Sequence, residues 1–102
     1  MGIVTTLAIS AEHPAFNGHF PGAPILPGAV LLDETLRAVQ LENASRQHWQ
    51  IGSAKFVKPV RPGEPLTLEC EPLPSGSLGF AIRSAGRIVA NGVLIPSARS
   101  DE

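Results

Sequence analysis

One histidine and two adjacent carboxylates carry the first hint of chemistry. His19 lies in the run Gly18-His19-Phe20-Pro21-Gly22, and Asp33 and Glu34 follow fourteen and fifteen residues later. An imidazole exchanges protons near neutral pH without help, so His19 is the candidate base. A carboxyl group that keeps its proton can act as the matching acid. Residues 18–28 hold three glycines and three prolines. Glycine lets backbone approach a ligand closely, and proline removes freedom that would blur the position of the histidine. Pro27 suits the first turn of a helix beginning at Gly28. The N–H groups of Gly28 and Ala29 then lie at the positive end of the helix dipole with no helical acceptor, which suits a developing oxyanion.

The two carboxylates are separated by helical geometry. Ala29, Leu32, Leu36, Val39 and Gln40 gather on one face of the predicted helix, centred near Leu36. At 100° per residue, Asp33 lies about 60° from that centre and Glu34 about 160° away. A carboxylate at the edge of a buried stripe loses solvation, which favours its protonated form. That makes Asp33 the candidate acid. Spacing alone leaves a second reading open, in which Asp33 pairs with Arg37 one turn on, worth only a few tenths of a kcal/mol.

The elements that hold these residues follow from periodicity. Ile3–Ile9 reads as a strand and residues 10–27 as a loop, with a helix from Gly28 to about Ser45 that opens to solvent toward Arg46 and Gln47. Beyond Ile51-Gly52 the period becomes two. Ser53–Val60 reads as a strand, followed by a turn at Arg61-Pro62-Gly63-Glu64. Leu66, Leu68 and Cys70 alternate with Thr67, Glu69 and Glu71 in a half-buried strand. Leu78–Arg83 and Ile88–Ile95 are two more, joined by a tight turn at Ala85-Gly86, with Pro96 ending the sheet. The fold class is α+β: one helix packed on a curved antiparallel sheet of about five strands. One helix leaves such a sheet with free edges, and pairing an edge with a second copy is the simplest remedy.

The totals bound the function classes. The chain has 102 residues, expected to form a single domain over 1–102 with 97–102 as a frayed tail. A net charge of −1 argues against nucleic acid as the partner. One cysteine, Cys70, excludes an internal disulfide, and with three scattered histidines it fits no ordinary zinc cage. No apolar run approaches the 18 or so residues of a membrane span, and the N-terminus lacks a secretory signal pattern. The expected setting is a soluble, cytoplasmic one. Cys70 and Phe56 are expected in the core, His13 in a turn, and His48 and Trp49 capping the helix or packing at its rim.

The run GHFPGAPILPGAVLLDE (residues 18–34) resembles the signature loop and helix start of the β-hydroxyacyl-acyl-carrier-protein dehydratases of bacterial fatty-acid synthesis. There a G-H-F-P-G-x-P-x-x-P-G run is followed, fourteen residues after its histidine, by Glu or Asp; here that residue is Asp33. The resemblance continues through KFVKPVRPGEPLTLE (residues 55–69) and, more loosely, to the last strands. It implies a hot-dog fold, with a long central helix wrapped by a curved sheet, dimerised edge to edge. It also implies a 3-hydroxyacyl thioester on the phosphopantetheine arm of an acyl carrier protein, with no metal or redox cofactor. His19 would remove the α-proton, Asp33 would protonate the leaving hydroxyl, and the Gly28 and Ala29 N–H groups would hold the thioester oxygen. His19 of one protomer would face Asp33 of the other. Phe16 and Phe20 would line an acyl tunnel, and Lys55, Lys58, Arg61 and Arg37 would meet an acidic carrier. A compact member of this family also suits a dedicated aryl-polyene or polyketide-like assembly line. The chain departs from the family at Arg37, where glutamine is frequent, and Arg37 is expected to point to solvent or a carrier phosphate. Asp33 in place of Glu resembles the branch that also isomerises the double bond, but isomerisation is not predicted from one residue. The rival readings are a hot-dog thioesterase and a non-catalytic partner of the carrier protein.

Overall fold

The computed structural model describes residues 2–7, 9, 26–42 and 48–97. In chain order these form β1 (Ile3–Leu7), α1 (Gly28–Glu42), β2 (His48–Phe56), β3 (Leu66–Pro72), β4 (Leu78–Ser84) and β5 (Arg87–Ser97). The strands make one antiparallel sheet in the order β1-β3-β4-β5-β2. Alternation dictates its two faces: Leu66, Leu68 and Cys70 on β3 are buried, as are Leu78, Phe80, Ile82 and Ser84 on β4. Register brings Leu68 opposite Ile82 and Cys70 opposite Phe80, so one face is continuously apolar. Leu31 and Val39 of α1 belong to the same buried cluster. The α+β class and the five-strand sheet are as the periodicity predicts.

Local chemistry explains the connections. The β4–β5 hairpin turns through Ala85 (φ 52°) and Gly86 (φ 82°), two successive left-handed residues of the kind a two-residue hairpin loop requires. The turn before β3 is stapled by Glu64, whose N–H donates to the Arg61 carbonyl (3.2 Å) while its Oε1 accepts from the Arg61 N–H (2.9 Å).

Several boundaries differ from expectation, and the strand expected to run to Val60 stops at Phe56. β2 begins at His48 rather than Ser53, so His48 and Trp49 open a strand instead of capping the helix. Gly52 reads as a break in the sequence, but it is a bulge: Ile51 opposes Leu94 and Ser53 opposes Val93, leaving Gly52 extra. β5 continues through Pro96, which lies opposite Trp49. The β4 pairing of β5 ends at Leu94, so one side of β5 is open there and a residue without an N–H is tolerated. β1 stops at Leu7, two residues short of its predicted end. Ser97, expected in the frayed tail, is the last residue of β5 and lies opposite His48; residues 43–45 of the predicted helix and 98–102 of the predicted tail lie outside the described residues.

Candidate active site

α1 turns a different face to the sheet than a simple helical wheel assigns. Leu31, Thr35 and Val39 are its buried residues, and Thr35 is fully so. The Thr35 hydroxyl donates to the Leu31 carbonyl (2.9 Å), which satisfies a polar group that a wheel counts as solvent-facing. The buried face therefore centres near Thr35 and not Leu36, and Ala29 and Gln40, assigned to it, are exposed. Asp33 lies about 160° around the helix from Thr35. Its side chain is 65% exposed, so the loss of solvation expected of it is absent in the single chain. Glu34 is half-buried. Arg37 faces solvent, as expected, and there its Nη2 also meets Asp33 Oδ2 at 3.0 Å, the pairing that spacing left open.

The helix N-terminus is held in place by its neighbours. Leu26 N–H donates to the Val60 carbonyl (2.8 Å), tying the chain just before α1 to the segment after β2. Val30 and Leu31 N–H groups both reach the Pro27 carbonyl (3.0 and 3.2 Å), closing the first turn. The N–H groups of Gly28 and Ala29 have no acceptor among the described residues. A Cβ on Gly28 would fall 2.7 Å from Cζ of Phe56, so glycine is what allows the helix start to rest on that ring. Phe56 is half exposed at this edge, against its expected place in the core. A glycine placed right after Pro27, where a helix former would be favoured, is the signal in the sequence that foretells the contact.

Two hollows flank the helix. A cavity of ≈360 Å³ at its N-terminus is lined by Leu26, Gly28, Leu31, Phe56, Val57 and Val60. A trough of ≈320 Å³ lies further along, between Asp33, Leu36, Arg37 and Gln40 of α1 and His48 and Trp49 of β2. They share no residue, so one chain does not gather the carboxylate and the glycine N–H groups into a single cavity. Ala29 and Asp33, four residues apart, are both exposed on the outward side of α1. The trough is the feature that sequence reasoning missed, because it depends on β2 starting at His48. A third hollow, ≈700 Å³, lies over the sheet residues Glu69, Ala81, Arg83 and Asn91 and includes none of the candidate residues.

Other predicted residues fall into place or outside view. His19, Phe16, Phe20 and His13 lie outside the described residues. Cys70 is a core residue, as expected, and burial pushes its thiol up to about 11. Lys55, Lys58 and Arg61 are exposed near the N-terminal cavity. Among the described residues, no group of three or more His, Cys, Asp and Glu side chains is placed to hold a metal ion, and no helix is long and apolar enough to cross a membrane.

Among the described residues one helix packs against a five-strand antiparallel sheet, which is the hot-dog architecture. The dehydratase heterocomplex ApeI:P from Xenorhabdus doucetiae shares this fold, with a TM-score of 0.80 at 24% identity over 95% of this chain and 88% of that one. A family model described as ApeI-like, ApeI dehydratase, matches residues 2–93, and the chain belongs to that dehydratase family. The 3-hydroxyacyl-[acyl-carrier-protein] dehydratase FabZ of Chlamydia trachomatis is 37% identical over 106 residues, covering 90% of this chain and 69% of the relative. FabZ of Thiobacillus denitrificans is 36% identical over 74 residues, covering 62% and 51%. The matches thus span 51% to 69% of the length of these two relatives.

Proposed function

We propose that the chain dehydrates a 3-hydroxyacyl thioester, carried on the phosphopantetheine arm of an acyl carrier protein, to the trans-2-enoyl thioester and water. The observation that carries this reading is the outward placement of Asp33 on the same side of α1 as Ala29, whose N–H, like that of Gly28, has no acceptor among the described residues. Family membership supplies the reaction class. In this reading His19 takes the α-proton, and the Gly28 and Ala29 N–H groups hold the thioester oxygen as it gains enolate character. Loss of one such donor typically costs about 3–4 kcal/mol. Asp33 gives its proton to the 3-hydroxyl as the C–O bond breaks. Neither metal nor redox cofactor has a step to perform.

The open geometry favours a homodimer. Gly52 through Pro59 are all exposed, and Phe56 and Val57 are half exposed at the sheet edge. A second copy paired along β2 would cover that edge and bring its own loop toward Asp33. Phe16 and Phe20 would line the acyl path, and Lys55, Lys58 and Arg61 would steer an acidic carrier protein.

The test incubates the protein with a 3-hydroxyacyl carrier thioester and follows enoyl product and free carrier thiol. Enoyl product is expected from wild type and loss of it from His19→Ala and Asp33→Asn. Mixed dimers of the two dead variants should recover activity through one intact site. Free thiol without enoyl product would replace this reading with a thioesterase, and binding with neither product would leave a carrier partner.

A further inference from the structure

We propose that Trp49 is a specificity-determining residue: the trough between α1 and the start of β2 seats the acyl tail beyond C3, and Trp49 ends that seat. This rests on the dehydration reading, with the thioester oxygen at the Gly28 and Ala29 N–H groups and the 3-hydroxyl at Asp33. Those two points give the substrate a direction. Ala29 lies one turn before Asp33, so a chain held at both runs along α1 from its N-terminus toward its C-terminus. The two hollows beside the helix then take opposite ends of the substrate. The N-terminal one, ≈360 Å³, has Lys58 in its wall, with exposed Lys55 and Arg61 near it, which suits the phosphate end of a pantetheine arm. The trough of ≈320 Å³ starts at Asp33 and continues past Leu36, Arg37 and Gln40, so the tail leaves through it.

Strand direction puts Trp49 at the far end. Phe56, the last residue of β2, meets the helix start, where a Cβ on Gly28 would lie 2.7 Å from its ring. β2 therefore runs back along α1, and Trp49, seven residues earlier, comes to the Gln40 end of the trough. Its side chain suits an apolar end wall. Trp49 packs against the core, as Leu36 does, and lies opposite Pro96 of β5, so the wall is backed by the sheet. The indole Nε1 is buried with no hydrogen-bond partner among the described residues, so the side chain shows the trough only carbon. Arg37, Gln40 and His48 are exposed and form the rim. From Asp33 to Gln40 the helix rises about 10 Å. A carbon chain advances about 1.2 Å per bond, on the scale of an extended backbone, so about eight carbons beyond C3 bring the tail to Trp49. The substrate class is thus a 3-hydroxyacyl thioester of short to medium length.

The readout is kcat/KM for dehydration across a series of 3-hydroxyacyl carrier thioesters with saturated tails, from one carbon beyond C3 to well past the length that reaches Trp49. In wild type, kcat/KM should rise about threefold per carbon while the tail gains burial. It should then fall at least about tenfold once the tail must press into the wall. Trp49→Leu keeps the wall apolar but shortens it, and should move that fall outward by about three carbons; Trp49→Phe should move it by fewer. The profile is read within each variant as the ratio of long to short substrate, so a loss of folded protein cancels. A limit that neither variant moves, or no limit in wild type, overturns the inference while wild-type dehydration stands. A limit that moves with Val57→Ala in the N-terminal cavity, and not with Trp49, would overturn it by seating the tail at the other end. If wild type forms no enoyl product at any length, the dehydratase reading falls, and this one with it.

Discussion

Along β3 and β4 every second side chain is buried, from Leu66 through Cys70 and from Leu78 through Ser84, whereas on β2 every residue from Gly52 to Phe56 is exposed. Both regions belong to one sheet and are joined through β5. β3 and β4 have neighbours on both sides and a helix-covered face, so their alternation is enforced by burial. β2 is an edge; Phe56 at its end and Val57 just beyond are half exposed, although the start of α1 rests on the Phe56 ring. The helix repeats the division: Leu31, Thr35 and Val39 turn inward while Ala29, Asp33 and Arg37 turn out. The inward set accounts for folding of one chain. The outward set includes Ala29 and Asp33, which the proposed reaction uses together with Gly28, and the proposed dimer would bring a second chain toward it.

That contrast is broken most severely at the seam between the two regions. A Cβ on Gly92 of β5 would fall into the Ser53 carbonyl of β2 and lie 2.9 Å from a ring carbon of Phe80. Backbone cannot yield as a flexible side chain can, so Gly92→Ala should pry β2 from the sheet. The expected loss is at or above about 3 kcal/mol, the upper end of ordinary overpacking costs, read from urea denaturation. A variant within 0.5 kcal/mol of wild type, a threshold on the order of a surface substitution, would mean that the seam is already loose.

A matched pair sharpens the same point at lower cost. Leu68, fully buried, lies opposite Ile82 in the core. Leu68→Ala should lose about 3 kcal/mol of stability through lost transfer and a residual cavity. Val57, 51% exposed beyond the end of β2, should lose no more than about 0.5 kcal/mol on truncation to alanine. Comparable losses in the two, measured at a concentration where the protein is monomeric, would erase the distinction between a closed and an open region.

Much of this arrangement is legible in the amino-acid sequence. Leu66, Leu68 and Cys70 announce a half-buried strand, Ala85-Gly86 announces a hairpin, and Pro27-Gly28 marks the helix start; each depends on local pattern alone. The reading fails where a residue's environment is set by something distant. Thr35 enters the core because the Leu31 carbonyl accepts a hydrogen bond from its hydroxyl, and that shifts the helix face by enough to move Asp33 from a buried edge to open solvent. Gly52 is a bulge because β5 pairs on either side of it, which periodicity in β2 cannot reveal. The pairing of Arg37 with Asp33 was one of two spacings-based readings, and only geometry chooses it.

The smallest expected effect lies at the turn joining the open region to the closed one. Partial burial pushes the Glu64 carboxyl up, but hydrogen bonds from the Arg61 N–H and Ser84, with the charges of Lys58 and Arg61, outweigh it and hold the carboxyl below its ordinary value of 4.5. A native carboxyl with a depressed pKa binds fewer protons than the unfolded chain does as pH falls below about 4.5. Its contribution to stability is therefore full above that value and fades as pH drops through the native one. Glu64→Gln keeps the size of the side chain and abolishes the titration. The thermal midpoint of wild type should exceed that of the variant at pH 7 by a few degrees at most, and the gap should close as the solution is acidified below about pH 4.5. A gap that stays constant with pH would show that Glu64 staples the turn by shape alone, and that the charges of Lys58 and Arg61 belong wholly to the open edge.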